Sequence, residues 1–395
     1  MKLLGRKLER LKERAPEPEA RGRSLRVLLA GKLTAFAAPG GGEVQMATTA
    51  GALRELGVSA RMWRPWEDDL AQCDCLHLFG TAPGHFEVID AAQRAGIPVV
   101  LSPIAWYDLR SLWHEPRPLP RRLAGCGKFV LRAMAPRMPS WRRRLYQSVD
   151  LLLPNSQAEA RQLRAHFGVP PERIHVVPNG ADERFAAATP DAFVEAYGIR
   201  DFVLYAGRIE PRKNQLNFLR AMEGTNVPIV ILGDAVPGHE AYAERCRRMA
   251  GPRVRFLARL EYDDPLLASA YAACRCLALT SWFETPGLVA LEAAMLGTPL
   301  VLTNRGCASE YFGPLAQYVA PTDLAGIRAA VMRAMWSPCN VALSERVRRD
   351  YSWSAAAQAT LSAYEKVLEN RSAKNESMDD EAEAAHYMTP LAKAS

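Results

Sequence analysis

The sequence predicts an α/β protein made of two doubly wound domains, each built on a parallel sheet. Short apolar runs alternate with segments long enough for a helix, and a second such series starts near Asp201. This alternation is typical of βαβ units. The length of 395 residues also exceeds what one hydrophobic core usually supports. We therefore expect two domains that face each other across a cleft, where the strands' carboxyl ends hold ligands.

The first series contains six predicted strands and the second contains five. The strands of the first series are LRVLLAG (25–31), VSARMW (58–63), CLHLFG (75–80), IPVVLS (97–102), VDLLLP (149–154) and IHVVPNG (174–180). The strands of the second series are DFVLYAGR (201–208), VPIVILGD (227–234), VRFLARL (254–260), CLALTS (276–281) and TPLVLTN (298–304). The polar, proline-containing stretch 182–200 is the predicted linker between the two series.

These segments divide the chain into five predicted parts. They are a basic N-terminal extension (1–23), a first domain (24–185), a second domain (186–350), a closing helix (351–370) and a disordered acidic tail (371–395).

Composition excludes several classes of protein. A hydrophobic fraction of 49% and a charged fraction of 24% are globular values. The eight cysteines show no zinc-binding spacing, and a disulfide framework is not expected in a chain of this length. The N-terminus lacks the apolar region of a secretory signal, and no run of apolar residues is long enough to span a membrane. We expect a cytoplasmic protein without a bound metal or cofactor.

Positive charge is concentrated in one block of the first domain. Residues 116–149 contain nine basic residues and no acidic one, in a chain of net charge +7. Such a block indicates an anionic partner, which could be a membrane surface, a phosphorylated substrate or a nucleic acid.

Two glutamates stand eight positions apart in FETPGLVALEAAMLGTPLVL (283–302), an otherwise apolar segment. Buried carboxylates need partners. The segment predicts a loop followed by a helix from Pro286 to Leu296, so Glu284 and Glu292 would lie roughly 12 Å apart. Backbone N–H groups near Gly287 and Leu288 would bind a phosphate group between the two glutamates.

The spacing alone leaves other interpretations open. Ser281 and Glu284 fit a Ser-x-x-Glu capping box, and Glu292 could face solvent. A second group of residues favours a binding site. In VLYAGRIEPRKN (203–214), Arg208 and Lys213 follow the first strand of the second domain. They therefore lie at the same sheet edge as Glu284, where two cations could neutralise a diphosphate.

These motifs resemble the family 4 retaining glycosyltransferases of the GT-B fold, also called glycosyl transferases group 1. The Glu-x7-Glu segment, GRIEPRKN (207–214), VPNGAD (177–182), GGGE (40–43) and YSWSAAAQ (351–358) all match in the family's order, and the similarity spans residues 25–370. The resemblance implies two Rossmann-like domains, the first on the acceptor side and the second on the donor side, with the closing helix returning to the first domain.

The resemblance also implies roles for individual residues. Glu284 would bind the hydroxyls of the donor sugar and Glu292 the ribose. Arg208 and Lys213 would hold the diphosphate, together with the backbone at Gly287 and Leu288. The loop of Gly40, Gly41 and Gly42 would close over the donor phosphates. Glu310 would lie near the donor.

Family members transfer a hexose with retention and without a metal-binding Asp-x-Asp triplet, and this sequence contains no such triplet. In the family's favoured mechanism the leaving phosphate takes the acceptor proton, so the protein supplies only position and charge. The implied partners are a UDP- or GDP-linked sugar and a glycan or lipid-linked acceptor.

One departure from the family pattern concerns the acceptor side. Many relatives carry a histidine after the strand that corresponds to IPVVLS, whereas this chain continues SPIAWYDLR (102–110). The substitutes we expect on the acceptor side are Ser102, Trp106, Asp108 and, from the strand CLHLFG, His77. A lone histidine on an apolar strand is more often a core residue.

The basic block suggests where the chain meets its acceptor. Family members often touch a membrane in this region, and residues 117–144 would do so peripherally, on the cytoplasmic face. A solvated basic surface is the other interpretation. Nucleic acid is not expected, because no nucleic-acid motif accompanies the charge. Two alternatives to a transferase stay open: a non-catalytic nucleotide-sugar-binding subunit and a nucleotide-sugar epimerase of the same architecture.

Overall fold

The computed structural model describes residues 24–32, 40–114 and 118–387. The predicted extension 1–23, part of the glycine-containing loop (33–39) and the last eight residues lie outside these ranges.

The first domain is built on a five-stranded parallel sheet with the strand order β2-β1-β3-β4-β5. Its strands are β1 (Arg26–Ala30), β2 (Ser59–Met62), β3 (Cys75–Phe79), β4 (Val99–Ser102) and β5 (Leu151–Leu152). Its helices are α1 (Gly41–Glu55), α2 (His85–Arg94), α3 (Leu109–His114), α4 (Leu119–Met134), α5 (Trp141–Ser148) and α6 (Gln157–Phe167). Every residue of β3 and β4 is buried, as expected for a parallel sheet covered on both faces.

The second domain is built on a six-stranded parallel sheet with the order β11-β10-β9-β6-β7-β8. Its strands are β6 (Phe202–Ala206), β7 (Ile229–Leu232), β8 (Val254–Leu257), β9 (Cys274–Leu279), β10 (Leu300–Thr303) and β11 (Gln317–Val319). Its helices are α7 (Asp191–Tyr197), α8 (Gln215–Met222), α9 (Glu240–Met249), α10 (Pro265–Ala273), α11 (Leu288–Ala294), α12 (Ala308–Phe312), α13 (Leu324–Trp336) and α14 (Val341–Asp350). The two sheets confirm the predicted architecture.

Two strand predictions differ from the structure. The run IHVVPNG (174–180) lies beside β5, but only Ile174 forms a bridge, and it pairs with Leu152. Prolines 154 and 178 cannot donate hydrogen bonds and so shorten this ladder. Conversely, the half-exposed strand β11 is too short and too polar to have been predicted.

The predicted linker (182–200) contains helix α7, which ends at Gly198 in the left-handed conformation. Phe193 of α7 is fully buried in the core of the second domain, and Ala181 and Phe185 pack there too. The segment is therefore an ordered part of that domain.

The last helix, α15 (Trp353–Tyr387), crosses back to the first domain, where Trp353 and Tyr364 join its core. The helix continues as far as Tyr387, through most of the stretch from residue 371 that was predicted as a disordered tail. No glycine or proline interrupts residues 354–387, and alanine and glutamate are good helix formers, so the helix continues.

Candidate functional site: a cavity between the two domains

A cavity of about 720 Å³, here called the interdomain cavity, lies between the carboxyl edges of the two sheets. The first domain contributes the loops after β1, β3 and β4 and the first turn of α1. The second domain contributes the loops after β6, β7, β8 and β9 and the start of α11. Small-molecule sites of doubly wound proteins occupy this place and have this size.

Glu284 and Lys213 form a buried ion pair in the wall of this cavity. The distance from Lys213 Nζ to Glu284 Oε1 is 2.6 Å. Lys213 ends a single 3₁₀ turn after β6, and Glu284 follows β9, so neighbouring strands of the sheet bring the two side chains together. The pair leaves Glu284 Oε2 facing Gly287, with oxygen positions available to a ligand's hydroxyl groups.

The carboxylate of Glu284 is held in its charged form. Burial alone would raise its pKa, but the charges of Lys213 and Arg212 and the hydrogen bonds from Lys213 and Ser281 outweigh burial, so the pKa is lowered. Ser281 Oγ donates to Glu284 Oε1 at 2.5 Å. The serine therefore orients the carboxylate and does not cap a helix, because α11 begins only at Leu288.

Helix α11 is shorter than the predicted span from Pro286 to Leu296. It covers Leu288–Ala294, and Gly287 precedes it with φ +90°, a left-handed conformation that suits glycine. A side chain at Gly287 would come within 3.4 Å of Glu284 Oε2. Gly287 and Leu288 both line the interdomain cavity.

Glu292 also lines the cavity, although its environment differs from that of Glu284. It is buried, and Tyr271 Oη donates to its Oε2 at 2.6 Å. Burial raises the pKa of Glu292 to about 7, with the hydrogen bond from Tyr271 opposing the shift. The pKa of this carboxyl group is thus close to neutral pH, and its oxygens can accept hydrogen bonds from further hydroxyl groups.

Arg208 reaches across the cavity toward the first domain. Its guanidinium donates to Glu210 Oε1 at 3.2 Å, and a side chain at Gly40 would meet Arg208 Nη1 at 3.1 Å. Gly40 is the N-cap of α1, so Gly41 and Gly42 belong to the helix's first turn and not to the predicted loop. All three glycines line the cavity, but Glu43 Oε2 already accepts from the N–H of Gly40.

Glu310 lies outside the cavity wall and joins the two domains. Its carboxylate accepts from Arg161 Nη2 at 2.9 Å and from the backbone N–H of Gln157 at 2.8 Å. Both partners belong to the first domain's α6. Glu310 thus lies in a contact between the domains, because its carboxylate in the first turn of α12 points toward α6, and it is not among the residues that line the interdomain cavity.

His77 and Ser102 are core residues and do not line the cavity. His77 Nε2 lies 2.9 Å from Ser102 Oγ, and its Nδ1 lies 2.7 Å from Tyr364 Oη of α15. Burial lowers the pKa of His77 to about 3, so the ring is neutral. The prediction that these two residues lie on the acceptor side is not supported by their positions.

Trp106 and Asp108 also lie outside the cavity wall. Trp106 packs against the second domain's core, and Asp108 Oδ1 lies 3.4 Å from Arg305 Nη1 of that domain. From this segment it is Ile104, with φ +48°, that lines the interdomain cavity. Trp106 and Asp108 thus make contacts with the second domain.

Several residues of the site were not predicted from the sequence. Tyr271 stands in an apolar helix, Ser281 was interpreted as a cap, and Thr81 carries no motif. Asn179, within the matched VPNGAD, lines the cavity, and its Nδ2 donates to Gln45 Oε1 at 3.3 Å. Of these residues, only Asn179 belongs to a segment that was matched to the family.

The described part of the chain contains neither a group of metal-ligating side chains nor a helix suited to cross a membrane. Among the side chains described within residues 24–32, 40–114 and 118–373, no three His, Cys, Asp or Glu are grouped so that they could hold a metal ion. In the same ranges, no helix combines the length and the apolar character needed to cross a membrane.

Comparisons with known proteins agree on one family. The family model described as Glycosyltransferase Family 4 matches residues 51–185, and the one described as Glycosyl transferases group 1 matches residues 192–346. A D-inositol 3-phosphate glycosyltransferase of Xylanimonas cellulosilytica is 29% identical over 249 residues, which are 57% of this chain and 59% of that protein. The chain thus aligns with little more than half of this relative's length.

Solved structures share the fold. A sucrose-phosphate synthase of Thermosynechococcus elongatus matches with a TM-score of 0.70 and 18% identity, over 88% of this chain and 100% of that one. An Anabaena protein, Alr3699/HepE, in complex with UDP and glucose matches with a TM-score of 0.62 and 17% identity, over 86% and 99%. The two family models together cover more than two thirds of the 395 residues, and the chain belongs to the family 4 glycosyltransferases of the GT-B fold.

Proposed function

We propose that the chain transfers a hexose from a nucleoside diphosphate sugar to a glycan or lipid-linked acceptor, with retention and without a metal ion. The observation that carries the proposal is the buried Lys213–Glu284 pair in the wall of a cavity that Arg208 also lines. Glu284 would bind the hydroxyls of the sugar, and Glu292 those of the ribose. Both carboxylates line the same cavity, and the diphosphate would lie between them beside the start of α11.

Charge in this cavity supports departure of a diphosphate. When the bond from the sugar's C1 to the phosphate oxygen breaks, negative charge collects on the leaving group. Arg208 and Lys213 line the space where that group would lie, and fixed cations in a partly water-excluded site are effective there. The acceptor oxygen would attack from the same face, and its proton would pass to the leaving phosphate.

The donor's base is proposed to be uracil. The Anabaena protein that shares the fold is in complex with UDP and glucose, which favours a UDP-linked hexose over a GDP-linked one. A panel of UDP- and GDP-sugars, each incubated with purified full-length protein and EDTA, tests the proposal by nucleoside diphosphate release. Release from one UDP-hexose is expected. Release that occurs only when EDTA is omitted would contradict metal independence, and UDP binding without release from any donor would favour the non-catalytic subunit.

A lipid-linked acceptor is favoured by the surface of α4. None of the residues of α4 is buried, and its apolar residues Leu119, Leu123, Val130 and Met134 are 45–80% exposed. At 100° per residue these four fall within about 60° of one another around the helix. Arg121 and Lys128, both exposed, lie on the opposite side. We propose that this face rests on an anionic membrane surface.

Co-sedimentation with vesicles tests the membrane contact. Vesicles that contain phosphatidylglycerol should bind the wild type, and those of pure phosphatidylcholine should bind it less. The double variant Leu123→Glu/Met134→Glu should lose most of the binding, whereas Trp336→Glu, which alters an exposed apolar residue of the second domain, should keep it. Equal binding of both variants would contradict the proposed contact.

A further inference from the structure

A second cavity of about 440 Å³ lies between the two domains, separate from the interdomain cavity. Helix α3 of the first domain forms one side of it, and loops of the second domain form the other. The residues used below are Arg110, Trp113, His114, Trp282, Arg305 and Thr322. Both domains contribute, so the cavity exists only where they meet.

The strand order places this second cavity next to the reacting end of the first one. Along the carboxyl edge of the second sheet the loops follow the order β8, β7, β6, β9, β10, β11. The interdomain cavity takes residues from the loops after β8, β7, β6 and β9, and Phe283 and Glu284 belong to the last of these loops. The second cavity takes Trp282 after β9, Arg305 after β10 and Thr322 after β11. It therefore continues the same groove beyond the sugar end.

Aromatic rings form part of its wall. The rings of His114 and Trp282, one from each domain, stack with centroids 4.3 Å apart and planes inclined by 8°. Trp113 is 42% exposed and lies in the same wall. Flat apolar rings with a few polar groups are a suitable lining for a ring-shaped, hydroxylated ligand.

The second cavity is also positively charged. Arg110 and Arg305 line it, and no carboxylate stands among its lining residues in the described part of the chain. Asp108 pairs with Arg305, but none of the described residues pairs with Arg110. Burial lowers the pKa of His114, and the charges of Arg122, Arg110 and Arg305 lower it further, as expected in a positive potential. Guanidinium groups bind phosphate and carboxylate groups well.

We propose that the second cavity is an acceptor subsite that holds an anionic sugar unit, bearing a phosphate or a carboxylate, next to the unit that receives the hexose. This inference rests on the proposed function, because the anionic sugar unit would be part of the acceptor to which the hexose is transferred. Arg110 contacts the anionic group, Arg305 adds charge while it holds Asp108, and the aromatic wall packs on the sugar ring.

Calorimetric titration of the full-length protein, saturated with UDP so that the interdomain cavity is occupied, tests the inference. The probes are glucose 6-phosphate, glucuronate, glucose and inorganic phosphate. At least one of the two charged sugars should bind, and glucose should not. Arg110→Ala should weaken that binding about tenfold, as expected for a lost charge-assisted hydrogen bond. Arg121→Ala, which removes an exposed arginine of α4 outside the cavity, should leave it unchanged.

Three outcomes would overturn the inference while leaving the proposed function intact: UDP binds but neither charged sugar does, Arg110→Ala binds the sugars as tightly as the wild type, or inorganic phosphate alone binds as tightly as the sugars. Thermal stabilisation by UDP shows that each variant is folded. Wild-type protein that fails to bind UDP would overturn the proposed function, and this inference with it.

Discussion

At the scale of single residues, the site contains two buried glutamates that are stabilised in different ways. Glu284 is paired with Lys213 and accepts from Ser281, so its pKa is lowered and it stays charged. Glu292 has one phenol as its partner, and its pKa is raised to about 7. In the proposed function the first remains charged beside the transferred sugar, and the second gains partners when a ribose arrives.

Replacing Lys213 by methionine should destabilise the protein by about 3 kcal/mol, because the charge of Glu284 would be left buried without its partner. The double variant Lys213→Met/Glu284→Gln should recover much of that loss, since it buries no unpaired charge. Urea unfolding measures both values. If the double variant were as unstable as the single one, the ion pair would not be the cause.

Replacing Glu292 by glutamine should stabilise the protein at pH 8 but not at pH 5. The folded-state pKa lies near 7, above the usual 4.5, so the stability that the protonated group provides is complete below pH 4.5 and is lost as the pH rises through 7. The gain at pH 8 should be up to about 3 kcal/mol, measured by urea unfolding. Affinity for UDP should fall at the same time. A difference independent of pH would contradict the raised pKa.

The sequence predicted the residues of the site that belong to local motifs. Glu284, Glu292, Arg208, Lys213 and Gly287 line the cavity because strand ends and turns fix their places. Tyr271 could not be predicted, since its link to Glu292 depends on how α10 packs against α11. His77 was assigned to the correct strand. Its contact with Tyr364, which lies 287 residues away in the chain, shows that it belongs to the core, and that contact cannot be read from the sequence.

At the scale of helices and strands, the sequence predicted the presence of strands better than the residues at which helices end. Short apolar runs bounded by glycine, proline or polar residues predicted ten of the eleven strands in the part of the chain that the structure describes. The exceptions have physical causes. Prolines 154 and 178 interrupt the pairing of the predicted strand 174–180 with β5. Strand β11 forms because it pairs with β10, and its own sequence has no strand-like apolar pattern. The extent of α15 was underestimated because a polar, acidic stretch without glycine or proline can be helical as well as disordered.

Replacing Tyr364 by phenylalanine should weaken the attachment of α15 to the first domain. The variant loses the hydroxyl that meets His77 Nδ1 at 2.7 Å and leaves a buried ring nitrogen without that partner. We expect a loss of about 1–3 kcal/mol in the free energy of unfolding. Thermal unfolding with and without UDP measures this. UDP binding should be retained, and its loss would instead place His77 in the functional site.

At the scale of the whole molecule, contacts between the domains enclose the cavity. Glu310 pairs with Arg161, and Asp108 pairs with Arg305. Asn155 of the first domain accepts from Tyr311 and donates to the Thr285 carbonyl, and α15 crosses between the domains. No spacing in the sequence indicates such pairings, because they depend on how the two domains dock.

Replacing Glu310 by glutamine should leave UDP affinity unchanged within about twofold, because the residue lies outside the cavity wall. The loss of stability should stay below about 1 kcal/mol, since the Arg161 side chain is 67% exposed and solvent screens the pair. Titration with UDP measures the affinity, with Glu292→Gln as the variant that should lose it. A large loss in Glu310→Gln would return this residue to the donor side.

The measurement that tests the central claim most directly is nucleoside diphosphate release from the preferred donor by wild type and by Glu284→Gln. Glutamine can still accept from Ser281 and Lys213, so the wall of the cavity should persist and UDP should stabilise both proteins. We predict that the variant loses at least about a hundredfold in turnover, because a charged group at the reacting centre is removed. Equal turnover in the two proteins would show that the buried Lys213–Glu284 pair is not the centre of a sugar-transfer site.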